Sequence, residues 1–330
     1  MILYVREQGA AIHRTGERLV IRKDGTVIQS VRLREVERVV LVGPIDMTTP
    51  AMYALLDAGI DTDLLTEGGR YRGRLAPGDG KNVLLRRTQH RRADDEGFRL
   101  GMARVILDAK IANCRYVLLR FLRNHASPAI EAAAGRLEKA QESLARQTSL
   151  ESCLGVEGDA ARAYFAALGQ MTLGDFAFSE RSRRPPRDPV NALLSFGYTL
   201  LATECAGALA AHGLDPYVGM VHSVQYGRPA LALDLLEEFR PLIGDRVALG
   251  LVNKGVLKRG DFEAGEDGGV RMTGCARTRY LRHYHQVMTR ETLSRTGAGS
   301  TSFRRILQRQ AASLRSAIEG PAPYDPFTPR

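Results

Sequence analysis

One segment of the chain, Gly213 to Pro241, carries most of the side chains that could do chemistry. His222 follows a stretch rich in glycine and proline that favours a compact turn, so backbone geometry places its ring. Asp234 and Glu237 are three residues apart on the predicted helix that follows, which puts both carboxylates on one helix face. Carboxylate oxygens with one imidazole suit Mg²⁺ or Mn²⁺, whereas zinc would prefer more nitrogen or sulfur. The segment therefore indicates a site for a hard divalent cation.

The same predicted helix carries a third acid, Glu238, and an apolar stripe on a different face. The stripe consists of Leu231, Leu235 and Phe239. A helix of this kind normally buries its apolar stripe and leaves its acids in water, so the carboxylates alone are a weak signal of metal binding. A metal site and a solvated acidic face are both open interpretations of this pattern.

Glu157 is a separate candidate, because it lies between a valine and a glycine where a helix is predicted to begin. An acid at that point can stabilise the exposed N–H groups of the first helical turn. It can also be a third metal ligand delivered from a distant helix, and spacing in the sequence does not decide between the two.

The basic residues of the chain favour a polyanionic partner. The formal net charge of the 330 residues is +10 and the sequence pI is about 9.7. The alternative is a basic protein whose charge serves only solubility. Arg228 and Arg240 flank the acids, and another cluster lies between Leu84 and Arg92. The third cluster, in a loop stiffened by prolines, is Arg181, Arg183, Arg184 and Arg187. A stiff loop loses less entropy when it binds a phosphate backbone, so we expect polynucleotide binding.

Several other kinds of site are not predicted. The four cysteines, Cys114, Cys153, Cys205 and Cys275, are far apart and form no CxxC pair, so we expect reduced, mostly buried thiols and no zinc cluster. The segment around Gly80 and Lys81 lacks the first glycine and the hydroxyl residue of a P-loop. The glycines from Gly297 onward do not follow a predicted strand, which argues against a dinucleotide fingerprint.

No basic and then apolar leader opens the sequence, and no uninterrupted apolar run reaches the roughly 18 residues needed to cross a bilayer. We therefore expect a cytoplasmic protein without membrane association.

The elements expected to position these residues fall into two domains of an α+β protein. Residues 1–80 are predicted to form a small, mostly antiparallel β domain, because β-branched runs alternate with turn residues. The predicted strands cover residues 2–5, 10–13, 18–22, 26–33, 38–43 and 60–66. Asp24-Gly25 predicts a hairpin turn, and Thr48-Thr49-Pro50 predicts the start of a helix that ends at Gly59. Pro77 to Gly80 breaks the pattern and marks the boundary.

Residues 81–330 are predicted to form a larger, all-α domain. Helices are predicted over residues 98–121, 137–146, 159–168 and 189–209. The last of these is apolar on nearly all sides, which places it in the core. The tail after about residue 320 contains four prolines and is predicted to be loose.

With these residues assembled, nearly the full chain resembles the CRISPR-associated adaptation integrases, the universal DNA-integrating subunit of spacer acquisition. Four motifs carry the resemblance in the family's order: VEGDAARAYF with Glu157, RSRRPPRDPVNALLSFGYTLL with Asn191 and Tyr198, GLDPYVGMVH with His222, and the acidic helix LALDLLEEFRP. RVALGLVNKG, with Lys254, is also similar. Met220 and Val221 are aliphatic where aromatic residues are frequent in the family.

The resemblance implies a sandwich-like N-terminal domain for dimerisation and a helical catalytic domain. It implies Glu157, His222 and Glu237 as ligands of Mg²⁺ or Mn²⁺, with Asp234 as a supporting acid or occasional ligand. The residues expected to contact DNA are Arg162, Arg181, Arg183, Arg184, Arg187, Asn191, Arg228, Arg240 and Lys254.

The activity implied is metal-dependent transesterification, in which the 3′ hydroxyl of a DNA fragment attacks a phosphate of the CRISPR repeat. With water as the nucleophile the same site would act as an endonuclease. The implied partners are double-stranded and branched DNA, a second copy of the chain, and a small second adaptation subunit. The alternatives are a DNA-binding scaffold without catalysis and a metal-dependent ribonuclease.

Overall fold

The computed structural model describes residues 1–67, 71–76, 82–173, 175–266, 268–293 and 300–329. The chain divides into two compact units, Met1–Lys81 and Asn82–Arg330. The boundary predicted at residues 77–80 lies outside the described residues.

The first unit consists of two four-stranded sheets and one helix. Its strands are β1 Ile2–Val5, β2 Ala11–Thr15, β3 Arg18–Lys23, β4 Thr26–Arg32, β5 Arg38–Val42, β6 Asp46–Met47, β7 Asp61–Leu65 and β8 Tyr71–Leu75. The strand orders are β1-β5-β7-β8 and β4-β3-β2-β6. Helix α1, Thr49–Asp57, has proline in its first turn as predicted. Leu19, Ile12 and Leu55 are among the fully buried side chains of its core.

The predicted β-rich character of this unit is confirmed, and its strands pair in both directions, with antiparallel pairing the more extensive. The pairs β1–β5, β5–β7 and β2–β6 are parallel, and β2–β3, β3–β4 and β7–β8 are antiparallel. Helix α1 lies between β5 and β7 in the chain. A helical crossover of this kind lets the chain re-enter the sheet in the same direction, so β7 pairs parallel to β5. The hairpin predicted at Asp24-Gly25 is confirmed, since both residues have positive φ, 48° and 77°, between β3 and β4.

The second unit is mostly helical, as predicted, and also contains two short hairpins. Its helices are α2 Val83–Asp94, α3 Glu96–Leu122, α4 Pro128–Leu144, α5 Leu150–Gln170, α6 Pro189–Ala211, α7 Ala230–Phe239, α8 Arg246–Asn253, α9 Gly274–Thr289 and α10 Phe303–Glu319. A π-helical segment, Arg240–Asp245, joins α7 to α8. The hairpins pair β9 Phe262–Ala264 with β10 Val270–Met272, and β11 Glu291–Leu293 with β12 Ser300–Ser302.

Helix α6 lies in the core of this unit. Asp188 caps its first turn by accepting a hydrogen bond from the Asn191 backbone N–H at 2.8 Å. Its length and mean hydropathy of 1.3 would allow it to cross a membrane, but 78% of its most apolar window is buried inside the protein. Such burial is typical of the central helix of a helical domain.

The prediction of a loose tail after residue 320 is wrong. Tyr324 and Phe327 are buried, and Phe327 stacks on Phe239 of α7 with 6.2 Å between ring centres. The Asn113 side-chain amide donates to the Phe327 carbonyl at 2.9 Å and to the Glu238 carbonyl at 2.8 Å. Two aromatic side chains among the prolines give the tail enough apolar surface to pack against the acidic helix.

The cysteines agree with expectation. Cys114, Cys153 and Cys205 are buried, Cys275 is exposed, and all four are free thiols.

Candidate metal and nucleic-acid site

Asp234 holds the turn that carries His222. Its carboxylate is fully buried and accepts hydrogen bonds from three successive backbone N–H groups. Met220 donates to Oδ2 at 2.6 Å, Val221 to Oδ2 at 3.0 Å, and His222 to Oδ1 at 2.9 Å. A buried carboxylate with this many donors is an anchor for the backbone. Its oxygens are occupied by these bonds, which favours the supporting role predicted for Asp234.

The same carboxylate also orients the histidine ring. His222 Nδ1 lies 2.7 Å from Asp234 Oδ1, and because a carboxylate accepts, this bond assigns the ring proton to Nδ1. The lone pair is then on Nε2, which lies 3.8 Å from Glu237 Oε1. A carboxylate behind the far nitrogen is the usual support of a metal-binding imidazole.

Glu157 and Glu237 meet at the ammonium group of Lys110, a residue that the sequence did not single out. Lys110 Nζ lies 2.5 Å from Glu157 Oε1 and 2.6 Å from Glu237 Oε2. Lys110 belongs to α3, Glu157 to α5 and Glu237 to α7, so three helices converge here. Glu157 is the eighth residue of α5, whose first turn is capped by Ser149, so the interpretation of Glu157 as a capping acid is wrong.

Arg240 is the second positively charged side chain, after Lys110, that pairs with Glu237. Its guanidinium donates to Glu237 Oε1 at 2.7 Å. Burial raises the pKa of Glu237, but the positive charges of Arg240 and Lys110 outweigh it and lower the pKa from 4.5 to about 2. Glu237 is therefore ionised at neutral pH although only 4% of its side chain is exposed. The solvated acidic face considered for this helix is not what forms, because Asp234, Glu237 and Glu238 are all buried.

A buried polar network supports Arg240 from the other side. The Arg240 guanidinium lies 4.6 Å from the centre of the Tyr198 ring, and the Tyr198 hydroxyl donates to Asp245. Tyr164 donates to the same carboxylate at 2.8 Å. Burial raises the pKa of Asp245 from 3.8 to about 6. Tyr198 thus connects α6 to the segment that carries Arg240.

The donor set of this cluster fits a hard divalent cation. Glu237 Oε2 is buried and, despite its ion pair with Lys110, has no hydrogen bond of good geometry. Nε2 of His222 lies 3.8 Å from Oε1 of the same residue, and Glu157 adds a second carboxylate. Across the described residues, no three His, Cys, Asp or Glu side chains are already gathered at metal-binding distance. The ligands are neighbours, with an ammonium between the two glutamates.

The predicted DNA-contacting residues fall into three groups. Arg183, Arg184, Arg187 and Lys254 are exposed. Arg162 is also exposed, by 82%, and its Nη2 lies 3.3 Å from Asp159 Oδ1. Arg228 is half-buried. Arg181 and Arg240 are partly buried, and each donates a hydrogen bond within the protein, Arg181 to Asn191 and Arg240 to Glu237. The exposed members agree with phosphate binding, since phosphate contacts need accessible cations.

The assignment of Asn191 as a DNA contact is corrected by its position. Its side chain is fully buried and uses both polar atoms within the protein. Oδ1 accepts from the Ser182 backbone at 2.9 Å and from Arg181 at 2.7 Å, while Nδ2 donates to the Glu180 carbonyl at 2.8 Å. Asn191 therefore fixes the shape of the arginine loop from behind.

Comparison with known proteins gives the family. The model described as CRISPR associated protein Cas1 matches residues 3–286, and the chain belongs to this family, the Cas1 proteins of CRISPR adaptation. A Cas1 endonuclease from Thermus thermophilus is 36% identical over 100% of this chain and 97% of its own length. A Cas4 exonuclease/Cas1 endonuclease fusion from Geobacter sulfurreducens is 39% identical over 98% of this chain. The chain covers 59% of that fusion and 57% of a similar fusion from Rhodospirillum rubrum.

Solved structures agree with this membership. A Cas6-RT-Cas1–Cas2 complex contains a chain with a TM-score of 0.82 and 28% identity, covering 97% of this chain and 35% of its own. A Cas1 protein from Thermotoga maritima has a TM-score of 0.81 at 21% identity, with 100% of both chains covered. A casposase bound to integration product has a TM-score of 0.83 at 21% identity, covering 96% of this chain and 90% of its own. The last two show the shared fold.

Proposed function

We propose that the chain is a metal-dependent DNA endonuclease and integrase of CRISPR adaptation, which joins the 3′ ends of DNA fragments to the CRISPR repeat. The observation that carries this proposal is the convergence of Glu157, His222 and Glu237 from separate segments of a Cas1-family chain. Relatives named as Cas1 endonucleases support the nuclease activity.

Glu157, His222 and Glu237 would hold Mg²⁺ or Mn²⁺, which supplies charge stabilisation at the reacting phosphate. Asp234 keeps the proton on Nδ1 of His222, so that Nε2 remains a ligand. Arg240, already bound to Glu237, lies beside the ligands and supplies a fixed positive charge. The 3′ hydroxyl forms the new P–O bond as the bond from phosphorus to the leaving 3′ oxygen breaks, so no covalent enzyme intermediate is required.

The exposed arginines of the loop between α5 and α6 would bind the phosphate backbone of double-stranded and branched DNA. We further propose that the chain works as a homodimer with a small second adaptation subunit, since solved relatives include a Cas1–Cas2 assembly. We propose a cytoplasmic location, because the CRISPR repeat that it would modify is part of the prokaryotic chromosome.

The test is an integration and nicking assay on a supercoiled repeat plasmid, with Mg²⁺, Mn²⁺ or EDTA, and with and without the second subunit. Glu157→Ala, His222→Ala and Glu237→Ala should each abolish integration and nicking while DNA binding persists. Glu151→Ala, an exposed acid on the same helix as Glu157, is the matched control and should retain activity. Metal-stimulated strand transfer by His222→Ala would contradict the site assignment.

The same assay separates the alternatives. A scaffold would bind DNA equally well in EDTA and would not nick it in Mn²⁺. A ribonuclease would cleave a matched RNA in preference to the DNA.

A further inference from the structure

The side chain of Lys110 is enclosed among the residues proposed to hold the metal. Only 13% of it is exposed, and its ammonium contacts one oxygen of each glutamate. Burial of a single ammonium is strongly unfavourable unless anions compensate for the lost hydration. The two carboxylates therefore hold Lys110 in place, and Lys110 keeps the buried carboxylate of Glu237 and the partly buried carboxylate of Glu157 from repelling each other.

The ammonium uses the oxygens that a metal would need. Mg²⁺ binds carboxylate oxygens at about 2.0 to 2.1 Å, with little tolerance for a second cation on the same atoms. Glu157 Oε1 and Glu237 Oε2 both lie within 2.6 Å of Lys110 Nζ. A metal bound to these two atoms would place its full charge beside the ammonium, so both cations cannot occupy the position together.

We propose that Lys110 is a built-in competitor of the divalent cation, which holds the two glutamates together before the metal binds and must withdraw when it does. This inference rests on the proposed metal-dependent function. It assigns Lys110 a positioning role: the lysine preassembles the acidic ligands and lowers their affinity for metal.

The withdrawn ammonium needs another anion, because it starts from a buried position with 13% exposure. A DNA phosphate entering the site is an anion of the right kind. Metal and DNA should therefore favour each other's binding through Lys110, and by linkage the coupling should be the same in both directions.

The test measures the affinity of the full chain for Mn²⁺ by calorimetry at fixed pH and ionic strength, with and without a DNA duplex. Wild type, Lys110→Met and Lys139→Met are compared. Lys139 is an exposed lysine on α4 and provides the matched control. We expect Lys110→Met to bind Mn²⁺ about tenfold more tightly or better in the absence of DNA, because no ammonium has to be displaced. DNA should increase Mn²⁺ affinity in wild type and in Lys139→Met, and much less in Lys110→Met.

Thermal unfolding provides a second readout, which also measures how stably Lys110→Met folds without metal. Lys110→Met should have a lower Tm than wild type without metal, because the two glutamates then repel each other, and a larger rise in Tm with Mn²⁺. If the Kd of Lys110→Met for Mn²⁺ equalled or exceeded that of wild type and the Tm shifts were equal, the proposed role of Lys110 would be overturned. The proposed metal-dependent function would not be affected by that result. If neither protein bound Mn²⁺ with or without DNA, the metal-dependent function would fall as well.

Discussion

Replacement of Asp234 with asparagine should lower the unfolding free energy of the helical unit by about 3 to 6 kcal/mol, although the two side chains have nearly the same shape. Each Asp234 oxygen accepts two hydrogen bonds. Whichever oxygen becomes an amide group, two N–H donors lose an acceptor and face another donor. Hydrogen bonds to a charged group contribute about 1.5 to 3 kcal/mol each, which gives the expected range for two bonds.

Urea denaturation followed by circular dichroism at 222 nm would measure this change, because the helical unit dominates that signal. Asp159→Asn is the matched control, since Asp159 is 77% exposed on α5 and its substitution should leave the curve unchanged. Asp234→Asn should also weaken Mn²⁺ binding by about 10-fold to 100-fold, because His222 loses the group that orients its ring. An unfolding free energy within about 1 kcal/mol of wild type would refute the view that Asp234 anchors the histidine turn.

Three further predictions concern the buried acids and the basic loop. Burial raises the pKa of Glu238 from 4.5 to about 7, so the folded protein binds this proton more strongly than the unfolded chain between those values. The unfolding free energy should therefore fall as pH rises from 5 to 8, and that of Glu238→Gln should fall less over the same range. Parallel pH profiles of the two proteins would contradict this. Tyr164→Phe should cost about 1 to 3 kcal/mol in the same assay, because it removes a donor from buried Asp245, whereas the half-exposed control Tyr217→Phe should have little effect. Arg184→Ala should reduce the slope of log Kd against log salt for duplex DNA by about 1, and an unchanged slope would exclude a phosphate contact.

The local part of the site was predictable from sequence, because turn and helix periodicity act over few residues. The positions of His222 and Asp234 follow from a glycine-rich turn and a helical repeat twelve residues later. The meeting of Lys110 with Glu157 and Glu237 was not predictable from spacing. Lys110 lies on a long amphipathic helix, where a lysine normally faces water, and only tertiary packing brings it to acids 47 and 127 positions away in the sequence.

The fold shows the same division. Asp24-Gly25 specifies its own backbone conformation, and the hairpin forms as predicted. The direction of β5 relative to β1 depends on how distant segments pack, and it cannot be predicted from the β-branched residues within each strand. Tyr324 and Phe327 were the available signal for a packed tail, but prolines around them suggested irregular structure. Prolines prevent a helix there without preventing burial.

Two contacts of Glu238 can form only late in the synthesis of the chain. The hydroxyl of Tyr324 and the backbone N–H of Phe327 both donate to this carboxylate, and they are synthesised 86 and 89 residues after it. On the ribosome, helix α7 therefore emerges before the hydrogen-bond donors that Glu238 has in the folded protein have been synthesised. The helix that carries Glu237 can reach its final surroundings only after residue 327 has been added. Nascent chains that stop before this point should lack the finished cluster of Glu157, His222 and Glu237, so the proposed DNA-cutting activity should appear only after residue 327 has been added.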